Sequence, residues 1–324
     1  MKQIILGTQL FGSEFTKKKS FEFLDFSSEL GIIEFDIAER YPFPESNKLF
    51  GETEKIIGEW SKFKKRQKIK LNTKVTGRNN GEIKKITSKR LTPKRIIQSL
   101  EDSLCRLKTE YVDTYFLHWP DRYTNNFGRT YYSPDKDKKY IPIEDQFEAI
   151  YKLKKQGKIL SYGLSNETAW GIMKFCEISK REKLLPVIQE EYSLLNRNIE
   201  RNTKEIIIRE KLKFQCYSPL SGGLLTGKYN KKKPDKSFRL LKYKEKSKKL
   251  FSEKKNKRIK FLIHFCKKKN ISITKLAFDF LKYQKFLNSI IIGFSSKKQL
   301  FKNIELINKP INDKKINQLI NLLN

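Results

Sequence analysis

Four residues able to carry protons stand in or just after short β-branched runs. Asp36 lies in "IIEFDI", Tyr41 follows in "FDIAERY", Lys74 lies in "KIKLNTKV" and His118 closes "VDTYFLH". A tyrosine of ordinary pKa, near ~10, exchanges protons sluggishly at neutral pH. A close ammonium favours the phenolate and lowers that value. A shift of ~2 units takes about 2.7 kcal/mol, within reach of an ammonium in a dry pocket. An aspartate can hold the lysine charged, and an imidazole can orient a carbonyl oxygen. Together they make a general acid for a carbonyl group. Reduction also needs a hydride, which no side chain supplies, so a cofactor is implied. Singly, each residue says less. An inward Asp or Lys is often a structural ion pair, and a lone His is more often structural than catalytic.

A second group suits the cofactor. "YGLSN" is an apolar run that ends in Ser165 and Asn166, two side chains that hydrogen-bond an amide well. Gln189 lies in the next such run and Tyr217 in the one after. Ser165, Asn166 and Gln189 can hold the carboxamide of a nicotinamide, and Tyr217 can stack on its ring.

These residues need elements to position them. Short β-branched runs recur at 3–8, 32–37, 68–75, 112–118, 161–165, 186–192, 214–219 and 289–294. Segments of helical spacing separate them. In 92–107, Thr92 can cap, Pro93 fits the first turn, and Ile96, Ile97, Leu100, Leu104 and Leu107 form one stripe. The segment 143–157 ends in the stop signal Gly157. Strands alternating with helices imply a parallel sheet. Eight units imply one single-domain (β/α)8 TIM barrel over 1–324, with functional groups at the C-terminal strand ends. Two long segments, 120–142 and 230–249, follow the fourth and seventh strands and belong on that face.

The composition narrows the alternatives. The chain is 38% hydrophobic and 12% aromatic, enough for a large core despite 33% charged residues. No apolar run has membrane-spanning length, so no transmembrane helix is expected. Cys105, Cys176, Cys216 and Cys266 are widely spaced, which fits reduced thiols in a cytoplasmic protein. His118 and His264 are the only histidines, so no metal site is expected. The net charge of +34 invites a nucleic-acid reading. The lysines are scattered, however, and no aromatic-studded basic module appears, so a solvated surface is the better reading.

The motifs "FDIAERYP", "LNTKV", "YFLHWPD", "YGLSNET", "EEYSLLNR", "YSPLSGGLLTGKY" and "IIIGFSSKKQLFKNIE" occur in this order. Over nearly its whole length the chain resembles the aldo-keto reductases. It is most similar to their Tas-like branch, which shares "AE-x-YP", "LHWP" before a long loop, "SNET" and "YSLLNR". The resemblance implies that Asp36, Tyr41, Lys74 and His118 are the catalytic tetrad, with Tyr41 the proton donor. It matches Ser165, Asn166 and Gln189 to carboxamide contacts and Tyr217 to the stacking aromatic. Ser218, Leu220, Gly222, Gly223 and Lys228 match the pyrophosphate-binding stretch, with Arg239 as a basic clasp. Ser295, Gln299 and Asn303 match the adenosine-phosphate and adenine end. The implied cofactor is NADP(H), without a metal. Lys302 stands where the family usually has Glu beside Asn303, which weakens or moves an adenine contact. Lys297, Lys298 and Lys302 add positive charge near a ribose phosphate, which favours NADP over NAD. Ile37 replaces the commoner Thr of "FDTA", with little effect expected.

Further expectations follow. Glu34 is in phase with Asp36, so it points into the barrel and needs a partner, Lys70 or Asn72. Phe11, Tyr41, Trp119 and the two long loops should line the substrate pocket, with Trp119 as an apolar or sugar-stacking wall. The expected substrate is an aldehyde, a small ketone or a sugar-derived carbonyl, with the reverse reaction, oxidation of a sugar hydroxyl, also open to the same residues. A cofactor-sensing binding protein with little turnover is the rival reading.

Overall fold

The computed structural model of the chain describes residues 2–78, 90–124, 132–136, 139–230, 233–243 and 252–323. Eight parallel strands close in chain order into one barrel, β1 to β8. They are β1 (Gln3–Gly7), β2 (Glu34–Asp36), β3 (Lys70–Val75), β4 (Val112–Leu117), β5 (Ile159–Ser165), β6 (Val187–Glu191), β7 (Phe214–Tyr217) and β8 (Ser289–Ile292). The (β/α)8 reading holds, and all eight runs are strands. β7 stops before its expected end because Ser218 turns the chain at φ 53°.

The helices on the outside are α1 (Lys17–Glu29), α2 (Glu52–Ser61), α3 (Pro93–Leu107), α4 (Ile143–Lys155), α5 (Ala169–Ser179), α6 (Thr203–Arg209), the short α7 (Arg239–Lys242), α8 (Glu253–Lys268), α9 (Ile273–Tyr283), α10 (Lys297–Asn308) and α11 (Asp313–Leu323). α3 begins as its sequence dictates. Thr92 accepts a hydrogen bond from the Arg95 N–H, and Ile96, Leu100, Leu104 and Leu107 are buried. α4 gives way at Gly157, which takes φ 71°.

Branched apolar residues usually fill a barrel interior. Here several inward positions at the N-terminal end are polar. Gln3, Ser289, Gln215, Glu34 and Asn72 lie on neighbouring strands, joined in part by direct register pairs. Glu34 accepts from Asn72 Nδ2 at 2.7 Å and from Gln3 Nε2 at 2.5 Å. Asn72 is thus the direct partner expected for Glu34. Lys70 is exposed and acts on Glu34 only through its charge. Burial raises the Glu34 pKa, and the Asn72 bond opposes that rise.

Close backbone approach sets the mouth of the barrel. A Cβ at Gly77 would lie 2.0 Å from the Trp119 carbonyl oxygen. Gly77→Ala is therefore expected to destabilise the protein by about 1–3 kcal/mol, as overpacking does. Urea denaturation checks this, and an unchanged midpoint would mean that the two segments slide apart freely. Parts of the two long loops fall outside the described residues. The described base of the first is held by Asp121, which accepts from Arg90, the Leu91 N–H and the Ile141 N–H.

Candidate active site

At the C-terminal ends of the strands lies a cavity of about 780 Å³. Asp36, Tyr41 and His118 line it, and Lys74 lies against them. Lys74 is wholly buried. Its ammonium donates to Asp36 Oδ1 at 2.6 Å and to the Ile37 carbonyl at 2.7 Å. It sits 5.2 Å from the centre of the Tyr41 ring, and the Tyr41 and His118 rings meet edge to face at 6.0 Å. Four groups from three strand ends and one turn thus converge.

Tyr41 leaves a turn in which its N–H reaches the Ala38 carbonyl at 3.0 Å. Glu39 pins that turn. Its carboxylate accepts from the Thr76 N–H at 2.7 Å, from Arg95 at 2.6 Å and from Ser99 at 2.6 Å. A buried carboxylate with three donors is a rigid anchor. Reading the sequence does not single out Glu39, although it is the acid of "AE-x-YP".

The electrostatics differ from expectation in one respect. The Tyr41 pKa is pushed well above the ordinary phenol by burial and by Asp36, while Arg40 and Arg239 pull it down. The Lys74 ammonium, taken up by Asp36 and the Ile37 carbonyl, does not offset this rise. The raised value keeps Tyr41 protonated, the form that a proton donor needs. Burial, then Lys74 and Arg40, push the His118 pKa well below that of an ordinary imidazole, so it stays neutral.

Ser165, Asn166, Gln189 and Tyr217 line the same cavity. Asn166 is more tied down than its proposed role requires. Its nitrogen donates to the His118 carbonyl at 2.9 Å and to Ser165 Oγ at 3.0 Å, and its oxygen accepts from the Tyr217 hydroxyl at 2.5 Å. It ties three strand ends together. Gln189 donates from Nε2 to Asp36 at 2.9 Å.

Ser218, Leu220, Gly222, Gly223 and Lys228 form another wall. Gly222 and Gly223 take φ 65° and 95°, which side chains disfavour. The turn is closed by its own backbone, the Ser221 N–H donating to the Ser218 carbonyl at 2.8 Å and the Gly223 N–H to the Leu220 carbonyl at 2.9 Å. Lys228 and Arg239 flank it, and neither has a carboxylate within ion-pair range among the described residues. Arg239 is held instead by Gln9 at 2.9 Å and lies over Phe43. Ser295, Gln299 and Asn303 line the far end. Ser295 donates to Gln299 at 2.8 Å, while Asn303 Nδ2 is buried with no hydrogen-bond partner among the described residues. Side-chain amides, a glycine turn flanked by two cations and a buried amide donor in one cleft fit a dinucleotide.

Trp119 lines the cavity as expected, with the Arg40 guanidinium 4.7 Å over its ring. Phe11 does not. Its ring is buried against Phe15 and Phe294, behind the wall. The chain turns after β1, and the residues that line the cavity from there are Thr8, Gln9, Leu10, Glu14, Phe15 and Lys19. Arg40 and Glu45, paired at 2.9 Å, also line it and carry no sequence signal beyond adjacency to Tyr41. No metal-binding cluster occurs among the described residues, and no described helix is long and apolar enough to cross a membrane.

The family model described as "Aldo/keto reductase family" matches residues 3–324. The chain belongs to the aldo/keto reductase family. This aldo/keto reductase is 33% identical over 313 residues to "Protein tas" of Escherichia coli (strain K12), covering 95% of this chain and 90% of that protein. The same figures hold for "Protein tas" of Shigella flexneri. An "Aldo-keto reductase" of Babesia bovis is 35% identical over 196 residues, 54% of this chain and 67% of the relative.

Proposed function

We propose that this aldo/keto reductase reduces an aldehyde or ketone to an alcohol with NADP(H), Tyr41 giving the proton. The observation that carries this reading is the convergence of Asp36, Tyr41 and His118 on one cavity wall, with buried Lys74 against them and Ser165, Gln189 and Tyr217 beside them. The bound cofactor supplies the hydride. Ser165, Asn166 and Gln189 would hold its carboxamide, Tyr217 its ring, and the Ser218–Lys228 turn with Arg239 its phosphates. Lys74 neutralises Asp36 and lies beside the Tyr41 ring, where its charge favours phenolate as the proton leaves. His118, neutral, hydrogen-bonds the carbonyl oxygen. Exposed Lys297 and Lys298 at the start of α10 support NADP over NAD. The Arg40–Glu45 pair and the Trp119 ring support a hydroxyl-rich, sugar-derived carbonyl compound over a purely apolar one.

Tryptophan fluorescence during titration with NADPH and NADH, followed by turnover of aldehydes and sugar ketones, tests the reading. Tighter NADPH binding with turnover is expected. NADPH binding without turnover of any carbonyl would turn the protein into a cofactor sensor. Equal affinity for both nucleotides would remove the argument from the lysines.

The depressed His118 pKa has a consequence for pH. A lowered value keeps the imidazole neutral as pH falls through about 6.5, where an ordinary histidine charges. The rate of reduction is therefore expected to stay flat through that pH and to fall only below it. A kcat profile with an acid limb near the ordinary histidine value would contradict the burial of His118.

A further inference from the structure

The barrel interior holds a chain of side-chain hydrogen bonds that ends at the active site. Glu34 Oε1 accepts from Gln215 Nε2 at 3.4 Å, Gln215 Oε1 accepts from Gln189 Nε2 at 3.2 Å, and Gln189 Nε2 also donates to Asp36 Oδ1 at 2.9 Å. The carboxylates at the two ends of this chain can only accept. That fixes the direction of each amide between them. Gln215 must turn its NH₂ to Glu34, so its oxygen faces Gln189. Gln189 then gives one hydrogen to Gln215 and the other to Asp36. Its carbonyl oxygen is the end left for the cavity that Gln189 lines.

We propose that Glu34 is a positioning residue which, through Gln215, holds Gln189 with its carbonyl oxygen facing the cofactor. The inference rests on the reading that Gln189 meets a nicotinamide carboxamide. It adds a polarity to that contact: Gln189 accepts, so it reads the NH₂ of the carboxamide. Asp36 alone would not achieve this. With Asp36 as its one acceptor, Gln189 keeps a second hydrogen free, which can turn to the cavity beside the carbonyl oxygen. Gln215 removes that freedom only while Glu34 holds it. An apolar residue at position 34 would leave Gln215 free to flip and would also orphan the Asn72 and Gln3 amides.

The test compares NADP+ with its acetylpyridine analogue, in which a methyl group replaces the carboxamide NH₂. Wild-type protein is expected to bind NADP+ about five- to tenfold more tightly, the worth of one hydrogen bond to a fixed acceptor. In Glu34→Leu the preference should fall to within about twofold. Affinity for ADP-ribose carrying the same ribose phosphate, which has no nicotinamide, should not change. Gln215→Met breaks the chain one link further on and gives the same readout should Glu34→Leu fail to fold. A wild-type preference that both variants retain overturns the role of Glu34 and leaves the site reading intact. Equal weakening of all three ligands overturns it too, in favour of a general structural effect. Wild-type protein that binds NADP+ without preferring it overturns the carboxamide contact at Gln189, and wild-type protein that does not bind NADP+ overturns the site reading as well.

Discussion

Tyr41→Phe is expected to lower the rate of carbonyl reduction by about a hundred- to ten-thousandfold, the usual contribution of a positioned general acid. The substitution removes one hydroxyl and keeps the ring, so the edge contact with His118 and the approach of Lys74 survive. Nucleotide affinity should stay within about twofold, because the carboxamide and phosphate walls are built from other residues. Steady-state kinetics with a reactive aldehyde, beside a fluorescence titration with NADPH, measure the two effects separately. Residual turnover within tenfold of wild type would mean that another group delivers the proton. The raised Tyr41 pKa fits the role of donor, since the phenol keeps its proton across the neutral range until a substrate oxygen needs it.

Lys74→Met should be as damaging, and to stability as well as to activity. Asp36 and Lys74 are buried together, their side chains 5% and 1% exposed. Removing the ammonium leaves a carboxylate in the barrel with, among the described residues, the Gln189 amide as its remaining side-chain donor. Breaking a buried ion pair from one side costs about 3–5 kcal/mol. Replacing both charges removes the stranded ion, so Lys74→Met with Asp36→Asn should recover most of that stability while remaining inactive. Urea unfolding of the two variants, with kinetics on each, separates the structural role of the pair from its catalytic one. A Lys74→Met protein that unfolds at the wild-type midpoint would show that water reaches Asp36.

Much of this site was legible because its signals are local. Alternating runs mark strands, and Thr92 with Pro93 marks the start of α3. The rule that barrel chemistry lies at the C-terminal strand ends then gathers Asp36, Tyr41, Lys74 and His118 without any coordinates. The errors arose where the chain leaves a strand. Phe11 is only a few residues beyond β1, yet the turn carries its ring behind the cavity wall and brings Gln9 and Glu14 forward. Glu39 and Arg40 flank Tyr41 in sequence, but one anchors the turn from beneath and the other stacks on Trp119. A turn scrambles the simple relation between sequence spacing and facing that a strand preserves.

By itself the sequence determined the barrel, the strands that carry the tetrad and the inward phase of Glu34, because each follows from a period of two or from a cap a few residues away. Only the tertiary structure decided what those side chains touch. Lys74 is taken up by Asp36, and burial with Asp36 raises the Tyr41 pKa despite the nearby ammonium. Glu34 reaches Gln215 across 181 residues of chain. Closure of the sheet on itself brings the inward side chains of β2 and β7 together through β1 and β8, and no local pattern encodes which polar groups then fall within hydrogen-bonding distance.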